Sequence, residues 1–480
     1  MLAELLADIM REHAPCTALS DTERTLTYRD VAEQTWRAAA LLARHAAPGN
    51  RAGIQATNSA AYVVCYLAML HCGVVPFLID AGLGRNELAE IADRCSLDLL
   101  VHDGRAVDGL AVAQLGEILG LRVTTLAPTG RRYDLLDSTE VCRFTSGSTG
   151  TPNCVEFSGT AVARAAANWS AGTGLSAGDR IACFAALSNG LAFNTSLLAA
   201  FRVGASLHLS RGLPTGTNVA RRLQQTDATW LVGFPALYDS LVRRGVPAGA
   251  FRRVRIALSS AAPLRAETSR TFAELAGISI CDYYGVAETG PLTFAAGSGA
   301  DGGVGAPLPG VTVRAGDTAR SPREIRVRSE SMGSRYLNAP GVFEARLDAD
   351  GFYRTGDEGY LSGGSLHLTG RTAATINVGG RKVDPVEVGD VLRRVHGVRD
   401  SVVFETTNRH GEPAVAAAVA GDSTLDPSRI RQHCMEWLAG YKVPSVIQVV
   451  PDIPVNSIGK PSLPVLRRLV AEAGPVPPSA

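Results

Sequence analysis

Phe144-Thr145-Ser146-Gly147-Ser148-Thr149-Gly150-Thr151-Pro152 is the stretch on which the reading of this chain turns. Gly147 and Gly150 let the backbone turn tightly and aim amide groups at an anion. The hydroxyls of Thr145, Ser146, Ser148 and Thr149 add donors for phosphate oxygens. Ordinary Ser/Gly/Thr turns share this composition. The loop is not G-x-x-x-x-G-K-S/T, because no lysine follows either glycine. Gly459-Lys460 lacks the upstream glycine and runs into Pro461. No G-x-G-x-x-G opens a first βα unit, so dinucleotide binding has no support.

On both sides of this loop, short apolar runs alternate with helical patterns. Candidate strands are 98–102, 180–185, 206–209, 229–233, 255–258 and 279–283; candidate helices are 160–170, 195–203, 219–225, 235–243 and 265–275. The alternation predicts an α/β body with mainly parallel sheets flanked by helices. Upstream, Thr27-x-x-Asp30 predicts a capping box and a helix through Ala46. The uncharged span 61–79 is nearly long enough for a membrane. Tyr62, Tyr66, His71, Gly73 and Pro76 interrupt it, so the expectation is a buried helix to about His71, a turn at Cys72-Gly73 and a strand over 74–79. From about Gly302 the pattern shifts to short strands at 311–314, 324–329 and 365–368, a smaller β-rich lobe. A compact α+β unit follows, with helices 385–394 and 427–437 and strands 398–405, 414–420 and 445–449. Two domains are expected, 1–370 (with the lobe at 302–370) and 371–480.

The 480-residue chain carries 47 basic and 46 acidic side chains, a balance that argues against nucleic-acid binding. Nine cysteines, an odd number without a CxxC pair, fit a reducing, cytoplasmic setting and show no zinc cluster. The start, MLAELLADIMRE, places Leu2, Leu5, Leu6, Ile9 and Met10 on one helix face and lacks the basic residues of a secretion signal.

Three further features share chemistry with the loop. Glu288, in Tyr284-Gly285-Val286-Ala287-Glu288, follows a predicted strand, where a carboxylate can hold Mg2+ beside phosphates or simply be a surface acid. Asp357, in Tyr353-Arg354-Thr355-Gly356-Asp357, reads as lying among turns and could accept ribose hydroxyls or close an Asx turn. Lys460 could neutralise a developing phosphate charge or be a plain surface lysine.

Taken together, Thr145 to Pro152, Tyr284 to Glu288, Tyr353 to Asp357, Gly370-Arg371 with Gly379-Gly380 and Glu387, and Gly459-Lys460 resemble, in order and spacing, the adenylate-forming superfamily. That superfamily comprises acyl- and aryl-CoA ligases, adenylation domains of nonribosomal peptide synthetases, and luciferase. The resemblance implies an enzyme with a small mobile C-terminal domain. Such an enzyme joins a carboxylic acid to ATP with Mg2+, releases pyrophosphate, and passes the acyl group of an acyl-AMP to a thiol of CoA or of a carrier protein's phosphopantetheine. It assigns Thr145, Ser146, Gly147, Ser148, Thr149 and Gly150 to the phosphates, Glu288 to the metal, Asp357 and Arg371 to the ribose, and Tyr284 to the adenine. Lys460, Thr149 and Glu288 become the catalytic set. Gly379 and Gly380 line the path of the pantetheine arm, where Arg381 and Lys382 could meet a CoA phosphate or an acidic carrier surface. By the same resemblance Ser188, Asn189, Phe193, Phe234, Ala261, Tyr283 and Gly285 form the acid site. Asn189 aligns with the aspartate that amino-acid activators use, and a shifted alignment would put Asn194 there.

The sequence departs from this pattern in places. Asn153 replaces a phosphate-loop lysine, Ala287 a threonine, and Ser260-Ala261 a glycine pair, while Ala373 stands where an Asp or Lys hinge is usual. The neutral Asn189 favours an aromatic acid, with an aliphatic or β-amino acid as the alternative. A non-catalytic nucleotide- or carrier-binding relative is the rival reading.

Overall fold

The structure, a computed structural model, describes residues 2–104, 107, 109–128, 130–145, 152–211, 215–247, 249–261, 264–297, 303–371, 375–408, 411–421, 425–454 and 461–473. Two large sheets make the body. In the first, Thr139–Thr145, Val75–Ile79, Arg51–Gln55 and Leu99–His102 run parallel, with antiparallel strands on both flanks. In the second, Ile280–Asp282, Ile256–Ser259, Trp230–Gly233, Arg180–Cys183, Ser206–Leu209 and Thr17–Ser20 are all parallel.

One continuous core joins residues of both sheets with the helix Ala60–Cys72. Ser59 caps this helix through Tyr62 N, and Gly73 ends it at φ 72°, a left-handed conformation that glycine adopts without a Cβ clash. Its apolar stretch from Ala60 to Met69 is buried on all sides, while His71 in the last turn is exposed. Among the described residues no helix is long and apolar enough to cross a membrane. The capping box of Thr27 and Asp30 is present, but its helix ends at Leu42 rather than Ala46. The region expected as one helix over 195–203 starts earlier, at Gly190, and passes through a π-helical segment, Phe193–Leu198.

A four-stranded antiparallel sheet follows, ordered Val311–Arg314, Arg323–Ser329, Tyr353–Ser362, Ser365–Arg371. Here the turn expected at residues 353–357 is corrected: these residues open a ten-residue strand. Gly356, at φ 75°, and the Thr/Asp content imitate a turn, yet Tyr353, Thr355, Asp357 and Gly359 all face inward.

The C-terminal domain has its own core from Ile376 to Ile447. The strands Val398–Thr407, Pro413–Gly421 and Val446–Val450 carry the helices Pro385–Arg393, Pro427–Trp437 and Leu463–Ala473. Ahead of them lies a hairpin, Ile376–Val378 with Arg381–Val383. All nine cysteines are unpaired.

Candidate active site

The strand Thr139–Thr145 carries the hydroxyl-rich loop at its C-terminal end, the edge of a parallel sheet where α/β folds place ligands. Thr145 pairs in register with Asn153, and its Oγ1 is buried without a hydrogen-bond partner. A buried unpaired hydroxyl costs free energy until something accepts or donates to it. Ser146, Gly147, Ser148, Thr149, Gly150 and Lys460 lie outside the described residues.

Glu288 is half-buried in the turn of the short hairpin that pairs Gly285–Val286 with Gly290–Pro291. A Cβ on Gly285 would lie 2.7 Å from Gly290 O, so this close pairing needs glycine. The Tyr336 hydroxyl, 2.6 Å away, donates to Glu288 Oε1 and also stands 3.1 Å from the Tyr353 hydroxyl. Burial, and next the Glu288 carboxylate, push the Tyr336 phenol well above its ordinary range, so it stays a donor. Tyr336 was not expected from sequence; nothing local marks a tyrosine that acts 48 residues from its partner.

Tyr284 and Asp357 meet directly. The tyrosine hydroxyl donates to Asp357 Oδ2 at 2.7 Å, and both side chains are buried. Asp357 lies opposite Arg371 in register, and its N–H donates to Thr355 Oγ1 at 3.1 Å. The Arg371 side chain is not among those described.

The acid-site residues fall at different depths. Ser188 and Asn189 are half-buried, and Asn189 Oδ1 accepts from Leu191 N at 2.9 Å, capping the turn that follows. This leaves the Asn189 amide nitrogen as its free hydrogen-bonding end. Phe193 is fully buried, edge-on to Tyr66 with ring centroids 5.3 Å apart, and so lies below the surface rather than on it. Tyr283 is buried against Trp169 at 5.1 Å, and the backbone oxygen of Tyr283 accepts from Ser260 Oγ at 2.8 Å. Ala261 sits at φ 71°, a left-handed backbone in a residue with a Cβ.

The C-terminal hairpin reaches this same place. Asn377 Nδ2 donates to Ala261 O at 2.6 Å, and Asn377 Oδ1 accepts from Gly380 N at 2.9 Å. Gly380, at φ 87°, packs so closely on Phe234 that a Cβ would fall 2.5 Å from its ring. The Gly379-Gly380 turn therefore touches the candidate acid wall. Arg381 is 3.5 Å from Asp80 and stacks on Tyr441 at 4.7 Å, which ties the guanidinium to protein groups.

A second bridge lies deeper. Lys442 Nζ donates to Glu87 Oε1 of the N-terminal domain at 2.7 Å and to Glu387 Oε1 of its own domain at 2.5 Å, all three side chains being buried. Burial disfavours the ammonium, but Glu387 and the other flanking groups outweigh it and hold Lys442 above its ordinary value. Sequence reading had noted Glu387 as a motif residue but not Glu87 or Lys442.

The chain matches the family described as AMP-binding enzyme over residues 7–337. It is 30% identical to the anthranilate–CoA ligase of Pseudomonas aeruginosa, over 90% of this chain and 89% of that protein. It is 27% identical to a methyl-dioxo-octahydroindenyl-propanoyl:CoA ligase of Mycobacterium tuberculosis, over 96% of this chain and 97% of that one. Its fold resembles that of a double mutant of o-succinylbenzoate CoA synthetase from Bacillus subtilis, with a TM-score of 0.85 at 20% identity, covering 98% and 99% of the two chains. The chain belongs to the AMP-binding enzyme family, within the adenylate-forming superfamily of acid–thiol ligases.

Proposed function

We propose that this chain activates an aromatic carboxylic acid with ATP and transfers the acyl group to the thiol of CoA. In the first step a carboxylate oxygen attacks the α-phosphorus, the α–β phosphoanhydride bond breaks, and pyrophosphate leaves. In the second, the thiol sulfur attacks the acyl carbon and AMP leaves with the bonding pair. The observation that carries this reading is the meeting of Tyr284 with Asp357 at 2.7 Å, while Tyr336 joins Glu288 to the start of the same strand. Residues far apart in sequence thus bring donors and carboxylates together.

In this reading Asp357 and Arg371 bind the ribose, Tyr284 lies at the adenine, and Thr145 to Gly150 hold phosphates. The unpartnered Thr145 Oγ1 fits a phosphate oxygen. Among the described residues no cluster of three metal-ligating side chains exists. A Mg2+ that keeps several waters and shares the substrate's phosphates needs only one or two carboxylates, so Glu288 with its fixed Oε1 suits it. When bound, the ion would screen the polyphosphate charge that repels an incoming carboxylate. Lys460 would approach the α-phosphate in the first step. We further propose that the domains divide near residues 370–375 and that the C-terminal one rotates between steps. The contact of Gly380 with Phe234 suits the second step, because it brings the glycine turn rather than a lysine to the acid wall.

An aromatic acid is supported by the neutral Asn189 amide and by similarity to the anthranilate ligase. CoA is supported by both curated relatives named above, whose acceptors are CoA. A pyrophosphate-release panel over aryl, acyl and amino acids, run with CoA and with a carrier protein, tests the proposal. Aryl acids with CoA are expected to be fastest. Release confined to amino acids, or acyl transfer only to the carrier, would replace the stated substrates.

A further inference from the structure

Arg143 stands in the strand Thr139–Thr145, two residues before Thr145, and is only 5% exposed. Its Nε has no hydrogen-bond partner, and among the described residues no acid forms an ion pair with it. The groups packed on it are aromatic, and the Glu288 carboxylate, beyond ion-pair reach, also acts on its charge. The guanidinium carbon lies 5.3 Å from the Phe157 ring centroid and 5.6 Å from that of Phe193. The hydroxyls of Tyr62 and Tyr66, which share its electrostatic surroundings, are likewise buried without partners. Gly190 makes room for the group, since a Cβ there would sit 2.7 Å from Arg143 Nη2. Burial pushes the guanidinium down to about 10, a measure of how poorly its charge is solvated.

Ring faces attract a cation but give its N–H groups nothing to bond to in the plane. A buried charge without a hydrogen-bonded partner is costly. Each unmet group here can donate: the Nε–H of one guanidinium and the hydroxyls of two phenols, which can also accept. Their complement is an oxyanion, and an aromatic surround suits an acyl body better than a triphosphate. They adjoin Gly190 and Phe193, in the segment assigned above to the acid.

Resting on that assignment, we propose that Arg143 is a specificity-determining residue that pairs with a second carboxylate of the acid, assisted by Tyr62 and Tyr66. The substrates are then dicarboxylic acids: one carboxylate reacts with ATP and the other is anchored by Arg143. Fork-shaped guanidinium recognition of a planar carboxylate is the natural chemistry of such a site.

The test uses the full chain with Mg2+-ATP and matched acids: isophthalate against benzoate, and glutarate against butyrate. Acid-dependent pyrophosphate release should favour each diacid over its monoacid by about 10-fold or more, a typical effect of a charged hydrogen bond. Arg143→Met should lower that ratio by about 10–100-fold, and Arg143→Lys by less. The free Arg143→Met protein should also melt higher than wild type, because a buried unpaired charge is gone, and should lose the melting shift given by diacids while keeping the shift given by ATP. A lower melting point in the free variant, an unchanged ratio, or an equal loss of ATP affinity with every acid would overturn the inference. Turnover of monoacids with rejection of diacids overturns it and leaves the ligase reading standing. No pyrophosphate with any acid overturns both.

Discussion

The ammonium of Lys442 in the C-terminal domain lies 2.7 Å from Oε1 of Glu87, a residue 355 positions earlier in the N-terminal domain. Both side chains are buried, so the contact exists only while the two domains hold this arrangement. Lys442 keeps a second carboxylate, Glu387, within its own domain. Removing Glu87 therefore weakens the arrangement without leaving the ammonium unpaired.

Glu87→Gln is expected to slow acyl transfer to the thiol by about 10-fold or more, because one partner of a buried ion pair is lost. Pyrophosphate release, which precedes that arrangement in the proposed cycle, should change less. Single-turnover kinetics that follow acyl-AMP and thioester separately measure the two. Equal slowing of both steps would detach this ion pair from the second step.

Glu288→Gln removes the proposed metal ligand and leaves an acceptor for Tyr336. The expected loss is about 10²–10³-fold in the rate of pyrophosphate release, the scale of one aimed electrostatic group. Higher Mg2+ should restore part of it. Tyr336→Phe, which only frees the carboxylate, should cost less. A magnesium titration of both variants checks the order.

The strand Tyr353–Ser362 explains why half of this site was hard to read. Its inward positions include Thr355 and Asp357, polar residues where a strand normally carries apolar ones. Their composition looks like a turn, and the tertiary pairing on both sides overrides it. Elements whose patterns were mostly apolar and uncharged, such as Ala60–Cys72 and Trp230–Gly233, matched expectation closely. Tyr336, Arg143, Glu87 and Lys442 were not foreseen, because their roles depend on partners from distant segments. Arg143 did leave one trace: a charge set between Cys142 and Phe144, in the part of the strand that is otherwise apolar from Val141 to Phe144.

Asp179 clamps the starts of three strands of the second sheet. It accepts from Arg255 at 2.8 and 2.6 Å, from Thr229 at 2.8 Å and from Ser176 N at 2.9 Å. Burial pushes its carboxyl up, but Arg255 and the other donors outweigh this and hold it at about 2. A depressed carboxyl stabilises the fold above its unfolded value and loses that contribution as pH falls from about 4 to about 2. Asp179→Asn should cost about 2 kcal/mol at pH 7, and the difference from wild type should shrink through that acid window. Urea unfolding at several pH values, in the range where both proteins refold, reads it.

Ala261 holds φ 71° while its carbonyl accepts from Asn377. The left-handed region costs a residue with a Cβ about 1–2 kcal/mol. Glycine avoids that cost but loses about 0.5–1 kcal/mol of backbone entropy on folding. Ala261→Gly is thus expected to raise stability slightly, by under about 1 kcal/mol, and thermal unfolding of the pair measures it.

Acid-dependent exchange of labelled pyrophosphate into ATP, comparing the wild-type chain with Lys460→Ala, tests the central claim most directly. The account predicts exchange only when a carboxylic acid is present, and a fall of about 10²–10³-fold when the lysine is removed. Exchange with no acid in the panel, or full exchange by the Lys460→Ala chain, would contradict it.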